Sequence, residues 1–187
     1  MADKGWFKVP GIRPHGDRSL SEQMLGLAPA LAEATGKSVL DLGCAEGLIA
    51  REFARAGAAD VHGIELLAPH LEVARQACRD APQVRFTCAN LADWIAAHPE
   101  PEPYDIVLAL GIIHKLRDPA LPLRFAARSA RTLLLFRAPA RATDGWVKSK
   151  HYEGRVHVPQ TMAAEGFAEE ALLPGVRGEA VQYWRRK

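Results

Sequence analysis

Between Ser38 and Phe136 the chain repeats one pattern: a short apolar run, a turn of small or polar residues, then a helical stretch. The runs are Ser38–Leu42, Asp60–Glu65, Val84–Cys88, Tyr104–Leu110 and Thr132–Phe136. Each is too short for a buried helix and is rich in Val, Ile, Leu and aromatic residues, so each reads as a strand. Strands alternating with helices imply βαβ units, right-handed crossovers and a parallel sheet covered on both faces. Helices are expected from a Ser19 capping box to about Glu33, then at Leu48–Ala56, Pro69–Arg79, Ala92–Ala97, Pro119–Ser129 and Gln160–Glu165. Two more runs, Phe167–Leu173 and Ala180–Trp184, are separated by Pro174-Gly175 and Arg177-Gly178, which predicts a hairpin-like antiparallel finish. The expected architecture is therefore α/β, with a seven-stranded, mostly parallel sheet, its last strand antiparallel, and helices on both faces.

With 187 residues, 48% of them apolar and 25% charged, the chain suits one globular domain spanning 1–187, with a core large enough to need no disulfide or metal staple. Residues 1–18 read as an irregular arm, and 137–158 as a long polar connection on the substrate side. Connections of that length are more often functional than decorative. A formal net charge of +2 gives no electrostatic case for wrapping nucleic acid. Cys44, Cys78 and Cys88 have neither disulfide-framework nor metal-site spacing. The charged, Pro- and Gly-broken start is neither a secretory signal nor a membrane span. A cytoplasmic location, no metal and no membrane insertion are expected.

The chemistry is concentrated in Asp41-Leu42-Gly43-Cys44-Ala45-Glu46-Gly47. A strand, a tight glycine turn and a helix start bring backbone N–H groups around a small ligand. The dinucleotide pattern G-x-G-x-x-G fails, because counting from Gly43 its last position falls on Leu48. Charge points the same way. Asp41 at the mouth of the turn would repel a pyrophosphate but suits an ammonium or sulfonium, while the helix N-terminus suits a carboxylate. Glu65 ends the neighbouring strand, where an acid accepts both hydroxyls of a ribose. An amino acid at one strand end and a ribose at the next describe S-adenosylmethionine (SAM).

In order, VLDLGCAEG, VHGIE and YDIVLALGIIHKL resemble the class I SAM-dependent methyltransferase family. The resemblance implies a Rossmann-like methyltransferase sheet with SAM across the carboxyl ends of the first four strands. It places Asp41, Gly43, Cys44, Ala45 and Gly47 around the methionine part, Glu65 on the ribose and Leu66 against adenine. Asn90, followed by Leu91, stands where the family often has an Asp that accepts from the adenine amino group. An ordinary turn role for Asn90 is the alternative. Leu110, with Gly111, would line the floor beneath the sulfonium. Ala45 replaces the usual middle glycine.

SAM carries its own electrophile, so the protein's main task is to align a nucleophile in a closed site. His114, after the fourth strand, is the candidate catalytic residue, as proton acceptor or as orienter of the methyl acceptor. Its alternative is packing, and Lys115 is expected to face solvent. Arg18 is a candidate partner for a substrate carboxylate or phosphate, set against a plain surface cluster with Arg13 and His15. The arginines at 124, 128, 131, 137 and 141 read as a solvated face rather than a phosphate track. No D/N-P-P-aromatic turn follows the fourth strand and no Pro-Cys pair occurs, which disfavours base-amino and pyrimidine-carbon methylation. The expected function is methyl transfer to O or N of a small-molecule, sugar or lipid-linked acceptor. RNA (tRNA) modification and a silent SAM-binding partner subunit are the alternatives.

Overall fold

The computed structural model describes residues 5–139 and 144–187. Its elements, in chain order, begin with α1 (Leu20–Gln23), α2 (Ala28–Ala32), β1 (Ser38–Leu42), α3 (Leu48–Arg55), β2 (Asp60–Glu65) and α4 (Ala68–Ala77). There follow β3 (Val84–Cys88), α5 (Leu91–Ala97), β4 (Tyr104–Leu110), α6 (Ala120–Ser129) and β5 (Ala130–Ala138). The last elements are β6 (Trp146–Lys148), β7 (Arg155–His157), α7 (Val158–Ala164), β8 (Phe167–Pro174) and β9 (Ala180–Arg186).

Seven strands form one sheet in the order β3-β2-β1-β4-β5-β9-β8. The pairs from β3 to β5 are parallel, and β9 runs antiparallel to both β5 and β8. Alternation along the strands divides the core. Val39, Val61, Ile106, Leu108, Leu133 and Leu135 pack beneath α2, α3, α4 and the arm residues Phe7 and Val9. Leu40, Leu42, Ile64, Val107, Leu134 and Phe136 pack against α5, α6 and α7. The chain winds outward from β1 to β3 and then restarts at β4 on the other side of β1. This reversal opens a crevice at the carboxyl ends of β1 and β4, the place where open α/β sheets bind ligands.

Three segments depart from the sequence reading. The helix expected from Ser19 to about Glu33 is two short helices. The Ser19 capping box forms as anticipated, but Gly26 takes a φ of +77° and its carbonyl accepts the Tyr183 hydroxyl at 2.7 Å. A Cβ at Gly26 would lie 2.9 Å from the Pro174 carbonyl oxygen, so the break lets the chain press onto the end of β8 and onto β9. The connection expected to be irregular over 137–158 instead continues β5 to Ala138 and carries an antiparallel ribbon, β6 with β7. Only Val147 and Val156 bury side chains from its paired positions, which is why its hydrophobic signal is faint. Of the arginine series, Arg137 is buried rather than on a solvated face, and Arg141 lies outside the described residues.

The loop after β1 is shaped by packing as well as by turning. Gly47 has a φ of +68°, and a Cβ there would meet Phe86 at 2.7 Å and Ala74 at 3.0 Å. Ala45 has a φ of +49°, a left-handed conformation that costs an L-residue about 1 kcal/mol. Gly47→Ala is expected to destabilise by about 1–3 kcal/mol through strain and overpacking. Ala45→Gly should be nearly neutral, within about 0.5 kcal/mol, because relief of strain offsets the added freedom of the unfolded chain. Urea unfolding of both variants checks the contrast.

Candidate active site at the switch point

Asp41 sits in β1 with its side chain on the sheet face covered by α3, and it is 3% exposed. One carboxylate oxygen, Oδ2, is buried without a hydrogen-bond partner. Burial, reinforced by the Glu65 charge and partly opposed by Arg137, pushes its pKa from 3.8 up to about 7. Such a group is poised for a cation: an ammonium or sulfonium beside it would replace the solvation it has lost.

Glu65, at the end of β2, is half-buried and held by backbone. Its Oε2 accepts from the Ala45 N–H at 3.0 Å, and its Oε1 accepts from the Leu67 N–H at 3.0 Å. A small cavity of about 90 Å³ lies against it, lined by Gly43, Ile64, Glu65, Leu66, Ala89, Asn90, Leu91, Ile112 and Leu116. The structure thus brings Gly43, Glu65, Leu66, Asn90 and Leu91 together around one space. Ile112 and Leu116 were missed. They come from the segment after β4, and a Cβ on Gly43 would stand 2.9 Å from Ile112, so the first glycine of the loop makes room for this wall. Asn90 serves a structural role at the same time, capping α5 by accepting from the Ala92 N–H at 2.9 Å.

Other candidates lie apart from that cavity. Asp41 is not in its lining. Cys44 turns inward to Leu71, Ala74 and Phe86, and burial raises its thiol well above the ordinary range, so that thiol has no chemistry to offer the cavity. Gly47 is occupied by packing. Leu110 is half-buried against the arm-side core, beside Arg137 in the sheet register. His114 lies in a single 3₁₀ turn, Ile113–Lys115, and its carbonyl accepts from the Lys150 N–H at 2.6 Å, tying that turn to the segment after β6.

Two residues deserve roles that the sequence did not suggest. Glu46 is fully buried, and its carboxylate accepts from the Trp6 N–H at 2.7 Å, the Phe7 N–H at 3.0 Å and the Arg13 guanidinium at 2.9 Å. The loop after β1 therefore holds down the N-terminal arm. A charge inside an otherwise small-residue loop was the available signal. Lys115 is exposed, as expected, and its ammonium stands 4.1 Å from the centre of the Trp6 ring, where partial desolvation lowers its pKa.

On the opposite sheet face His62 is buried between the Tyr104 hydroxyl at 2.9 Å and the Thr87 hydroxyl at 2.8 Å. Desolvation there lowers its pKa from 6.5 to about 4. His62 and Asp41 act on stability with opposite signs. Folded Asp41 keeps a proton that the unfolded chain releases above about pH 4, so its contribution falls as pH rises to about 7. Folded His62 is neutral where the unfolded chain still binds a proton, so its contribution rises between about pH 4 and 6.5. The two slopes oppose each other in the ligand-free protein. Asp41→Asn should therefore leave a stability that rises by about 1 kcal/mol or more from pH 5 to pH 6.5, and His62→Gln one that falls over the same interval, read from urea midpoints.

Residues 39–133 match the family model described as a methyltransferase domain. The chain is 32% identical over 130 residues to a ubiquinone biosynthesis O-methyltransferase of Neisseria meningitidis serogroup A, a match covering 68% of this chain and 53% of that protein. It thus spans about half the length of the curated relatives it matches. In structure it is similar to magnesium protoporphyrin IX methyltransferase (ChlM) from Synechocystis PCC 6803 with bound SAM, at a TM-score of 0.63 and 22% identity, covering 85% of this chain and 74% of that one. It also resembles the [4+2]-cyclase SpnF, at a TM-score of 0.64 and 17% identity, covering 100% of this chain and 87% of that one. At these identities the structural likenesses show the fold alone.

Proposed function

The chain belongs to the class I SAM-dependent methyltransferase family, and from that premise we propose that it transfers a methyl group from SAM to an oxygen or nitrogen of a small-molecule acceptor. The observation that carries this reading is the unpartnered, buried oxygen of Asp41 in β1, within reach of the charge of Glu65, which itself lines the cavity at the carboxyl end of the sheet. An orphaned carboxylate with a raised pKa fits a cationic amino-acid group and disfavours a pyrophosphate.

Bound SAM would supply an electrophilic methyl on a positively charged sulfur. Asp41 would face the cationic part. Glu65, fixed by two backbone donors, retains lone pairs on both oxygens for a ribose diol. Leu66, Leu91, Ile112 and Leu116 offer apolar walls for adenine, and Asn90, whose Oδ1 caps α5, contributes its polar edge. Leu110 would form the floor on the methyl side. His114, in the turn that closes the site beyond β4, would orient the acceptor or take its proton. Trp6 of the arm, held by Glu46, lies with Lys115 along the same rim and would exclude water.

The O-methyltransferase name of the Neisseria relative supports oxygen as the acceptor atom. In the described residues no helix is long and apolar enough to cross a membrane. Calorimetric titration with SAM and its demethylated product S-adenosylhomocysteine (SAH) tests the proposal, and absence of binding at millimolar ligand ends it. Glu65→Gln should weaken SAH by about tenfold or more. Affinity of the parent protein for SAH should tighten as pH rises through about 7, where Asp41 ionises, and Asp41→Asn should abolish that dependence. For His114→Ala, a fall in turnover beyond about tenfold assigns it to the reaction, and a smaller fall assigns it to packing.

A further inference from the structure

Beyond the cofactor end, the rim of the crevice is lined by cations that form no ion pair with an acid among the described residues. Arg18 and Lys115 rest against one indole: the Arg18 guanidinium carbon is 5.2 Å from the centre of the Trp6 ring and the Lys115 ammonium is 4.1 Å from it. Arg137, 2% exposed at the end of β5, gives two guanidinium nitrogens to Gln23 of α1, one to the side-chain oxygen and one to the backbone oxygen. Its Nε is buried without a partner, as is Nη1 of Arg18. Lys150 stands next to the turn, bonded through its backbone to His114. In the described residues no carboxylate comes within ion-pair distance of Arg18, Lys115 or Arg137.

These groups feel one another. Arg18 and Lys150 both disfavour the charge on Lys115, and Arg18 disfavours that on Arg137. The acids that act on them are Asp41 and Glu65, both assigned above to the cofactor, Glu179, and Glu22, which feels Arg18. Burying a charge and gathering like charges beside it is costly unless an anion completes the set; here Arg137 is buried, Arg18 half-buried, and Lys115 and Lys150 are exposed around them. The chain has nearly equal numbers of basic and acidic residues, so the gathering is local and not a reflection of overall charge.

We propose that the methyl acceptor is an anion, a small molecule whose carboxylate or phosphate is held at this rim by Arg18 and Lys115, with Arg137 and Lys150 completing the field. This rests on the methyl-transfer reading. Guanidinium N–H groups without partners supply directional donors for either oxyanion, and the Trp6 face adds a flat apolar surface on which an aromatic or unsaturated acceptor body can lie. The cations would hold one end of the acceptor and so set which atom faces the methyl group, which makes them specificity-determining rather than catalytic.

The test is a titration of SAH-saturated protein with phenyl phosphate, benzoate and the neutral benzamide, followed by the NMR signals of the Trp6 indole N–H and the arginine Nε–H groups. At least one anion should shift the Trp6 signal and the Arg18 and Arg137 signals saturably and bind about tenfold or more tighter than benzamide. Comparing phenyl phosphate with benzoate distinguishes phosphate from carboxylate. Arg18→Gln and Lys115→Met should each weaken the preferred anion about fivefold or more while leaving SAH within about twofold. Equal binding of anions and benzamide, or shifts confined to other arginines, overturns the proposal. So does a loss of SAH affinity in Arg18→Gln as large as the loss for the anion, because the guanidinium would then serve the cofactor's own carboxylate. Repeating the anion titrations without SAH separates the two readings: failure of SAH to bind removes methyl transfer, whereas the anion result stands or falls on its own shifts.

Discussion

A carboxylate sealed at the end of β1 with one oxygen unpaired imposes the main electrostatic constraint on this molecule. Asp41 lies under α3, with Glu65 near enough to raise its pKa and Arg137 near enough to oppose that shift in part. A protein interior tolerates such a group either by protonating it or by bringing a cation to it. Below about pH 7 the free protein uses the first solution and a cationic ligand would impose the second, so proton release and ligand uptake would be coupled there. That coupling is a property of β1's position at the switch point, where neighbouring strands cover both edges of Asp41 and water is excluded.

Glu46 extends the same logic to the segment that covers the site. Its carboxylate is as buried as that of Asp41, yet it is satisfied three times over, by two arm amides and Arg13. One loop therefore presents two buried acids five residues apart with opposite states, one spent on architecture and one held open. Fastening the arm brings Trp6 to the rim, where it meets Lys115 and Arg18. The loop that shapes the candidate cofactor site thus also positions part of the rim proposed for the acceptor.

The sheet was legible because its inner strands are short, largely buried runs, and each of the seven appears within two residues of its expected bounds. Gly43, Glu65, Asn90 and Leu91 line one cavity because they sit at or just beyond the carboxyl ends of β1, β2 and β3, where register leaves little freedom. Sequence reasoning failed where burial is decided by distant partners. Gly26 reads as an ordinary helix residue until β9 supplies the hydroxyl that needs its carbonyl. Arg137 reads as part of a solvated face until Gln23, more than a hundred residues away in sequence, takes its guanidinium. The β6–β7 ribbon escaped because three-residue strands with one buried side chain each carry almost no periodic signal.

The contrast between sheet and cover also explains why the acceptor is harder to read than the cofactor. The fold itself does not choose a reaction, since ChlM and the cyclase SpnF share this architecture at low identity. What differs between chains of this fold is the material laid over the carboxyl edge: here an arm, a broken helix, a 3₁₀ turn and a short ribbon. Each contributes little apolar burial, so none is strongly specified by hydrophobic pattern. Their charges are a different matter. Gln23 of the broken helix is committed to Arg137 through both its side chain and its backbone, a use of a neutral partner that leaves the guanidinium's full charge in place. A carboxylate at the same position would have neutralised it. Keeping the cation buried without an ion pair, favoured only at a distance by Glu179 and Asp41, costs stability, and on the proposed reading the missing negative charge would arrive with the substrate.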